Sequence, residues 1–186
     1  MTAQSGLLRR IIGLVDEVGI VSMVVGSLAS SFHGEPRQTR DIDIVIDPEA
    51  DALREFVARL PPDEFYADLG ATMDALERRT TFNVIETASG WKIDLIIRKD
   101  RAFSREELRR RLSVRLLETD THIATAEDTI IAKLEWATQG ESERQLRDVA
   151  AILRIQADAL DREYLRQWIG ALGVDDAWKR ALGLLD

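Results

Sequence analysis

The 186-residue sequence contains no cysteine, which excludes disulfides, thiolate metal centres and cysteine nucleophiles. Histidine is nearly as scarce: there are only two, His33 and His122. That leaves little for a zinc site, so any metal would be held by oxygen ligands. No apolar run approaches the roughly 18 to 20 residues of a membrane span. Residues 1–10 lack a signal-peptide hydrophobic region, and the expectation is a cytoplasmic protein with no membrane partner. A hydrophobic content of 45% is ample for a core. The length suits one compact domain or a domain with a small appendage.

The formal net charge of −8 argues against a surface that grips nucleic acid throughout. The charge is unevenly spread, however. Residues 92–115 hold nine basic and four acidic side chains, a local +5, whereas residues 1–91 and 116–186 carry −7 and −6. Such a run reads either as a solvated helix face or as a site for an RNA acceptor, the former being the commoner case.

Leu7, Leu8, Ile11, Ile12, Leu14, Val15 and Val18 recur at helical spacing and end at Gly19, so residues 6–18 read as a helix with a C-terminal glycine. Residues 20–25 read as a buried strand and Ser27–Phe32 as a short helix ended by His33-Gly34-Glu35-Pro36. Asp41–Ile46 alternates as a strand, and a helix over 48–60 is broken by Pro61-Pro62. A short helix is expected around 68–77. Phe82–Glu86 and Lys92–Ile97 then form a hairpin through Ala88-Ser89-Gly90, both strands expected to neighbour the Asp41 strand. Residues 104–111 read as a helix, with short strands at 113–117 and 122–124. From Ala126 onward only helices are expected, at 126–138, 143–155, 161–171 and 174–184. The fold class is therefore α+β: a small mixed β-sheet with flanking helices over residues 1–118, then a C-terminal helical bundle over 119–186.

Side chains alternate along a strand, so Asp41 and Asp43 address one face while Ile42, Ile44 and Ile46 address the other. Their Cα atoms are about 6.5 to 7 Å apart, within reach of a shared cation. Asp94 interrupts the apolar run Lys92-Ile93-Asp94-Leu95-Ile96-Ile97, where a charge has no structural purpose. If it lies on an adjacent strand and the same face, three carboxylates converge on a site suited to a pair of Mg²⁺ ions. Gly26 and Ser27, at the preceding strand-to-helix junction, offer backbone N–H groups to phosphate. Ser27 reads either as a phosphate contact or as a simple helix cap. His33 reads as a helix end rather than a general base. The four tryptophans, Trp91, Trp136, Trp168 and Trp178, read as core or interface residues rather than base-stacking platforms.

The stretch from Gly26-Ser27-Leu28-Ala29 through Arg37-Gln38-Thr39-Arg40-Asp41-Ile42-Asp43 resembles the opening motif of the polymerase-beta-like nucleotidyltransferase superfamily. Within that superfamily the chain is most similar to bacterial proteins related to the AbiEii toxins of toxin–antitoxin pairs. Lys92-Ile93-Asp94 resembles their Lys-x-Asp motif, Glu127-Asp128 followed by Lys133 their lysine-bearing helix, and Arg147-Asp148 their final acidic motif. The resemblance spans roughly residues 20–155. It implies that Asp41, Asp43 and Asp94 bind Mg²⁺ or Mn²⁺ and that Gly26 and Ser27, with Arg40 and Lys92, bind the NTP. It further implies that Lys133 and Asp148 complete the catalytic set from the helical part. From the residues alone, Lys133 reads equally as a surface lysine, Arg147-Asp148 as an ordinary ion pair, and Lys92 as a neutraliser of Asp94. The implied activity moves NMP from an NTP to a hydroxyl of RNA or tRNA, a protein or a small molecule, with a cognate antitoxin as a partner. The alternative is a non-catalytic nucleotide- or metal-binding or interaction module with the same fold.

Overall fold

A computed structural model describes residues 3–39, 41–140 and 142–185. In chain order the elements are α1 (Ala3–Glu17), β1 (Val21–Val25), α2 (Gly26–His33), β2 (Ile42–Asp47), α3 (Ala50–Arg59), β3 (Phe65–Tyr66), α4 (Leu69–Arg78) and β4 (Thr81–Glu86). They continue with β5 (Lys92–Ile97), α5 (Ala102–Arg110), β6 (Leu112–Leu116), β7 (Thr119–Ile123), α6 (Ala126–Gly140), α7 (Glu143–Gln156), α8 (Arg162–Leu172) and α9 (Asp175–Leu182). The chain divides into two compact units: Met1–Val25 with Thr39–Ile123, and Gly26–Gln38 with Ala124–Asp186.

The first unit is built on a mixed sheet, which among the described residues has seven strands in the order β3-β4-β5-β2-β1-β7-β6. β2 runs antiparallel to β1 and parallel to β5, while β1 and β7 are parallel. β4 pairs with β5 and is therefore one strand removed from β2, which corrects the expectation that both hairpin strands neighbour it. A parallel β2–β5 pair leaves β5 only one open edge, and the hairpin partner takes it. β3, a two-residue strand on β4, has too little periodicity to be read from sequence.

Alternation divides the sheet into two unlike faces. Ile42, Ile44 and Ile46 of β2 and Ile93, Leu95 and Ile97 of β5 are fully buried. α1 packs on β1 and β7, α4 packs on β4, and α3 touches both helices. Leu7, Leu8, Ile11, Ile12 and Val15 form the buried stripe of α1, each worth about 1.5 to 3 kcal/mol as buried apolar side chains. α1 stops where Gly19 takes φ +74°, and the Ile20 N–H closes on the Val15 carbonyl at 3.0 Å, the left-handed termination that glycine permits. The opposite face carries Asp43, Val45 and Asp47 of β2, all partly exposed.

The second unit is helical. α6 packs on α7, α2 packs on both, and α8 and α9 close around them. Ile130, Ile131, Leu134, Val149, Ala150 and Ile152 are fully buried at its centre. Just beyond α2, Gly34 is held so close that an added Cβ would lie 3.0 Å from the Ile152 nitrogen and 3.0 Å from the Ser30 carbonyl oxygen. Asp161 caps α8 by accepting from the N–H groups of Glu163 and Tyr164 at 3.1 and 2.9 Å, and Gly173 ends the helix at φ +65°. The helices expected at 126–138, 143–155, 161–171 and 174–184 are thus present with bounds shifted by one or two residues.

Candidate functional site

In the sheet unit, the registers place Asn83 opposite Asp94 and Asp94 opposite Asp43. Adjacent strands are about 4.8 Å apart, so the three polar residues form one row across β4, β5 and β2. Register partners share a face, and this face is opposite the one filled by Ile44 and Leu95. Two carboxylates directly opposite each other repel. Asp94 is compensated by the Lys92 ammonium at 3.2 Å and by the Asn83 side-chain amide, which donates to Oδ1. Lys92 stands two residues from Asp94 on the same strand face, so the neutralising contact anticipated from sequence is made.

Asp41 lies one residue ahead of β2 rather than inside it, and it is exposed. Its N–H donates to the Thr39 hydroxyl oxygen at 3.2 Å, a loop interaction that stands in place of a ladder bond. Arg40 lies outside the described residues. Among the described residues, no group of three or more Asp, Glu or His side chains is gathered closely enough to hold a metal ion. The Asp43–Asp94 pair nevertheless fits Mg²⁺ by its chemistry, because that ion is commonly bound by one or two carboxylates and completed by water and substrate phosphates.

In the helical unit, β1 passes directly into α2 at Gly26, whose φ of +63° is accessible to glycine and strained for other residues. Ser27 follows, 9% exposed. Its hydroxyl oxygen accepts a 2.7 Å hydrogen bond from Nη2 of Arg37. Asp148, on α7, accepts from Lys133 Nζ at 2.7 Å, from Arg37 Nε and Nη2 at 3.1 Å each, and from the Ser30 hydroxyl at 3.3 Å. Burial alone would raise the Asp148 carboxyl, but the hydrogen bonds and charges of Arg37 and Lys133 outweigh it and hold the group below its usual range. Lys133 is buried, at 5% exposure, not a surface lysine. Arg147 pairs instead with Glu143 at 3.2 Å.

The structure therefore brings Ser27, Lys133 and Asp148 together in one unit and sets Asp43 beside Asp94 in the other. Arg37 joins the Ser27–Lys133–Asp148 group and carries no site signal in the sequence. The local pattern Glu35-Pro36-Arg37-Gln38 carries no periodicity, and Arg37's main partner lies 111 residues away. The two acids of the lysine-bearing helix have bundle roles: Asp128 accepts from Thr125 Oγ1 at 2.7 Å and from the Tyr164 hydroxyl at 2.5 Å. Glu127 accepts from the Asp161 N–H at 2.9 Å. His33 ends α2, buried, with Nε2–H donating to the Ala124 carbonyl at 2.7 Å; burial pushes its pKa down, against the smaller opposing effects of that bond and of Glu127. Trp136 is 62% exposed and so is not a core residue, while Trp91, Trp168 and Trp178 are partly buried.

The basic stretch 92–115 is extensively paired within the sheet unit. Arg98 meets Asp47 at 2.8 Å, Arg105 meets Asp100 at 2.6 Å, and Arg109 meets Glu106 at 2.5 Å.

No family model matches the chain, and no curated protein matches it. Solved structures match it at the level of fold. An antigenic nucleotidyltransferase-like protein from Paracoccidioides brasiliensis is 13% identical, with 94% of this chain and 91% of that one covered and a TM-score of 0.56. ANT(2″)-Ia, in complex with adenylyl-2″-tobramycin, is 14% identical over 91% of this chain and 97% of its own, with a TM-score of 0.59. The lincosamide antibiotic adenylyltransferase LnuA, with lincomycin bound, is 13% identical over 83% of this chain and 98% of its own, with a TM-score of 0.53. The chain has the nucleotidyltransferase fold, an α+β sheet with a helical C-terminal region, as the sequence led us to expect.

Proposed function

We propose that this protein is a metal-dependent nucleotidyltransferase that moves NMP from an NTP to a hydroxyl acceptor. The acceptor oxygen forms a bond to the α-phosphorus, the bond to pyrophosphate breaks, and the hydroxyl proton is lost to solvent. The observation that carries this reading is the in-register pair Asp43 and Asp94 on neighbouring parallel strands of a nucleotidyltransferase-fold sheet. These two carboxylates, joined by Asp41, would hold Mg²⁺ or Mn²⁺. When bound, the metal would supply charge neutralisation on the triphosphate and a more acidic acceptor hydroxyl.

The chain's own groups have separate tasks. Asn83 and Lys92 orient Asp94 and offset its charge before any ligand arrives. The amide groups that follow Gly26, with the Ser27 hydroxyl, bind phosphate oxygens at the start of α2. Lys133, held by Asp148 at 2.7 Å, supplies a fixed cation; Arg40 and Lys92 would bind the nucleotide.

A small-molecule hydroxyl is the preferred acceptor. The pairing of Arg98, Arg105 and Arg109 with nearby carboxylates leaves a polyanion such as tRNA to compete for those cations. Both ANT(2″)-Ia and LnuA are described with a small-molecule antibiotic, which agrees with this choice. A toxin–antitoxin setting rests on the resemblance to AbiEii-type proteins. Co-purification of an antitoxin with the tagged chain would support that setting, and growth unaffected by overexpression would count against it.

Thermal unfolding with Mg²⁺ and each of ATP, GTP, CTP and UTP tests the reading. Saturation at about 100 times Kd stabilises by about 2.7 kcal/mol, or roughly 5 to 10 °C for a chain of this size. One nucleotide should give that rise only with the metal, and no rise with any of the four defeats the proposal. A second reading, a non-catalytic binding module, draws on the existing contacts of Asp94 with Lys92 and Asn83. It predicts the same thermal shift without turnover.

A further inference from the structure

We infer that Arg37 is a positioning residue that aims the Ser27 hydroxyl proton at a triphosphate oxygen, with Asp148 as its anchor. This rests on the proposed NTP site and adds a residue and a direction to it. The guanidinium is a donor only, with no acceptor atom. In the 2.7 Å contact between Arg37 Nη2 and Ser27 Oγ, the serine oxygen must therefore accept. Its own proton is then turned away from Arg37. Among the described residues no hydrogen bond takes that proton, although Ser27 is only 9% exposed.

Accepting from a cation also polarises the hydroxyl and strengthens it as a donor. The group that best suits a buried, polarised donor turned away from Arg37 at the beginning of a helix is an anionic oxygen. Arg37 can hold this geometry because it is itself fixed twice. Nε and Nη2 grip the two carboxylate oxygens of Asp148 at 3.1 Å each. Asp148 is fixed in turn by Lys133 at 2.7 Å and Ser30 at 3.3 Å. Its carboxyl, held below the usual range, stays ionised at neutral pH and keeps the clamp closed. Lysine cannot replace this arrangement, since an ammonium lacks the planar fork that bridges two acceptors.

The test is a double-mutant cycle read by calorimetric binding of Mg²⁺-tripolyphosphate and of the Mg²⁺-NTP that stabilises the wild type. The variants are Arg37→Gln, Ser27→Ala and the double substitution. Each single change should weaken binding about tenfold, roughly one charge-assisted hydrogen bond. The double variant should bind no more weakly than the poorer single one, because Arg37 acts through Ser27. Losses that multiply to about 100-fold overturn the inference while leaving the nucleotide site intact. Arg37→Lys covers the case in which Arg37→Gln does not fold; it should bind tripolyphosphate as weakly as Ser27→Ala. Wild-type affinity in a folded Arg37→Lys or Arg37→Gln protein, whatever its melting temperature, reduces Arg37 to a structural role and overturns the inference. A wild type that binds neither probe overturns the nucleotide reading, and this inference with it.

Discussion

Replacing Asp148 by asparagine removes one charge and almost no volume from a buried position in the helical unit. The carboxylate receives Lys133, both forks of Arg37 and Ser30. A neutral amide offers a single acceptor oxygen and turns an NH₂ group toward donors. Lys133, whose side chain is 6% exposed, loses its 2.7 Å counter-ion with little water to replace it. Breaking a buried ion pair from one side costs about 3 to 5 kcal/mol. Arg37, with a 27% exposed side chain, can recover some solvation, which places the expected loss near 3 kcal/mol. For a chain of this length that is roughly 6 to 12 °C in melting temperature. Urea unfolding should show a lower midpoint with unchanged slope. A loss below about 1 kcal/mol, the range of exposed pairs, would refute the account of a desolvated cluster. The pH dependence supplies a sign check. The folded carboxyl lies below its ordinary value, so its contribution is complete above the unfolded value of about 3.9 and disappears as pH falls through the folded one. The gap between wild type and Asp148→Asn should therefore be constant from pH 7 to about 5 and narrow below about 4.

His33 is also depressed, by burial, so the folded state resists protonation. Stability should fall as pH drops from the unfolded value of about 6.5 toward the folded one, and His33→Gln should lose that slope in urea midpoints measured between pH 7.5 and 5. The β6–β7 hairpin turns through Leu117 and Glu118 at φ +47° and +64°, a two-residue connection that favours Asn-Gly. Leu117→Asn with Glu118→Gly should stabilise by about 1 to 2 kcal/mol; an unchanged or lower melting temperature would show that the turn is not strained.

Much of the fold is legible because its elements carry their own signals. The stripe of Leu7, Leu8, Ile11, Ile12 and Val15 identifies α1, and Gly19 ends it with the positive φ expected of a terminal glycine. Ile42, Ile44 and Ile46 point inward, as their alternation requires. Placing Asp94 beside Asp43 needed only a neighbouring strand and a shared face, and the register supplies both. Other features depend on partners distant in the chain. Nothing near Arg37 announces Asp148, and nothing in α6 distinguishes a buried Lys133 from a solvent-facing one. The placement of β4 beyond β5 is decided by which edge of the sheet is open, a property of the assembled strands. Trp136 shows the limit of residue type as a guide to burial: it stands largely in solvent, between Leu134 and Ala137, which are buried.

The most direct test of the central claim is transfer itself. The wild type and Asp43→Ala are incubated with each α-labelled NTP, Mg²⁺ and a cell extract containing both small molecules and RNA. The account predicts that one nucleotide labels an acceptor through the wild type and that Asp43→Ala leaves the acceptor unlabelled while remaining folded. Equal labelling by Asp43→Ala, or no labelling by the wild type with any of the four nucleotides, contradicts it.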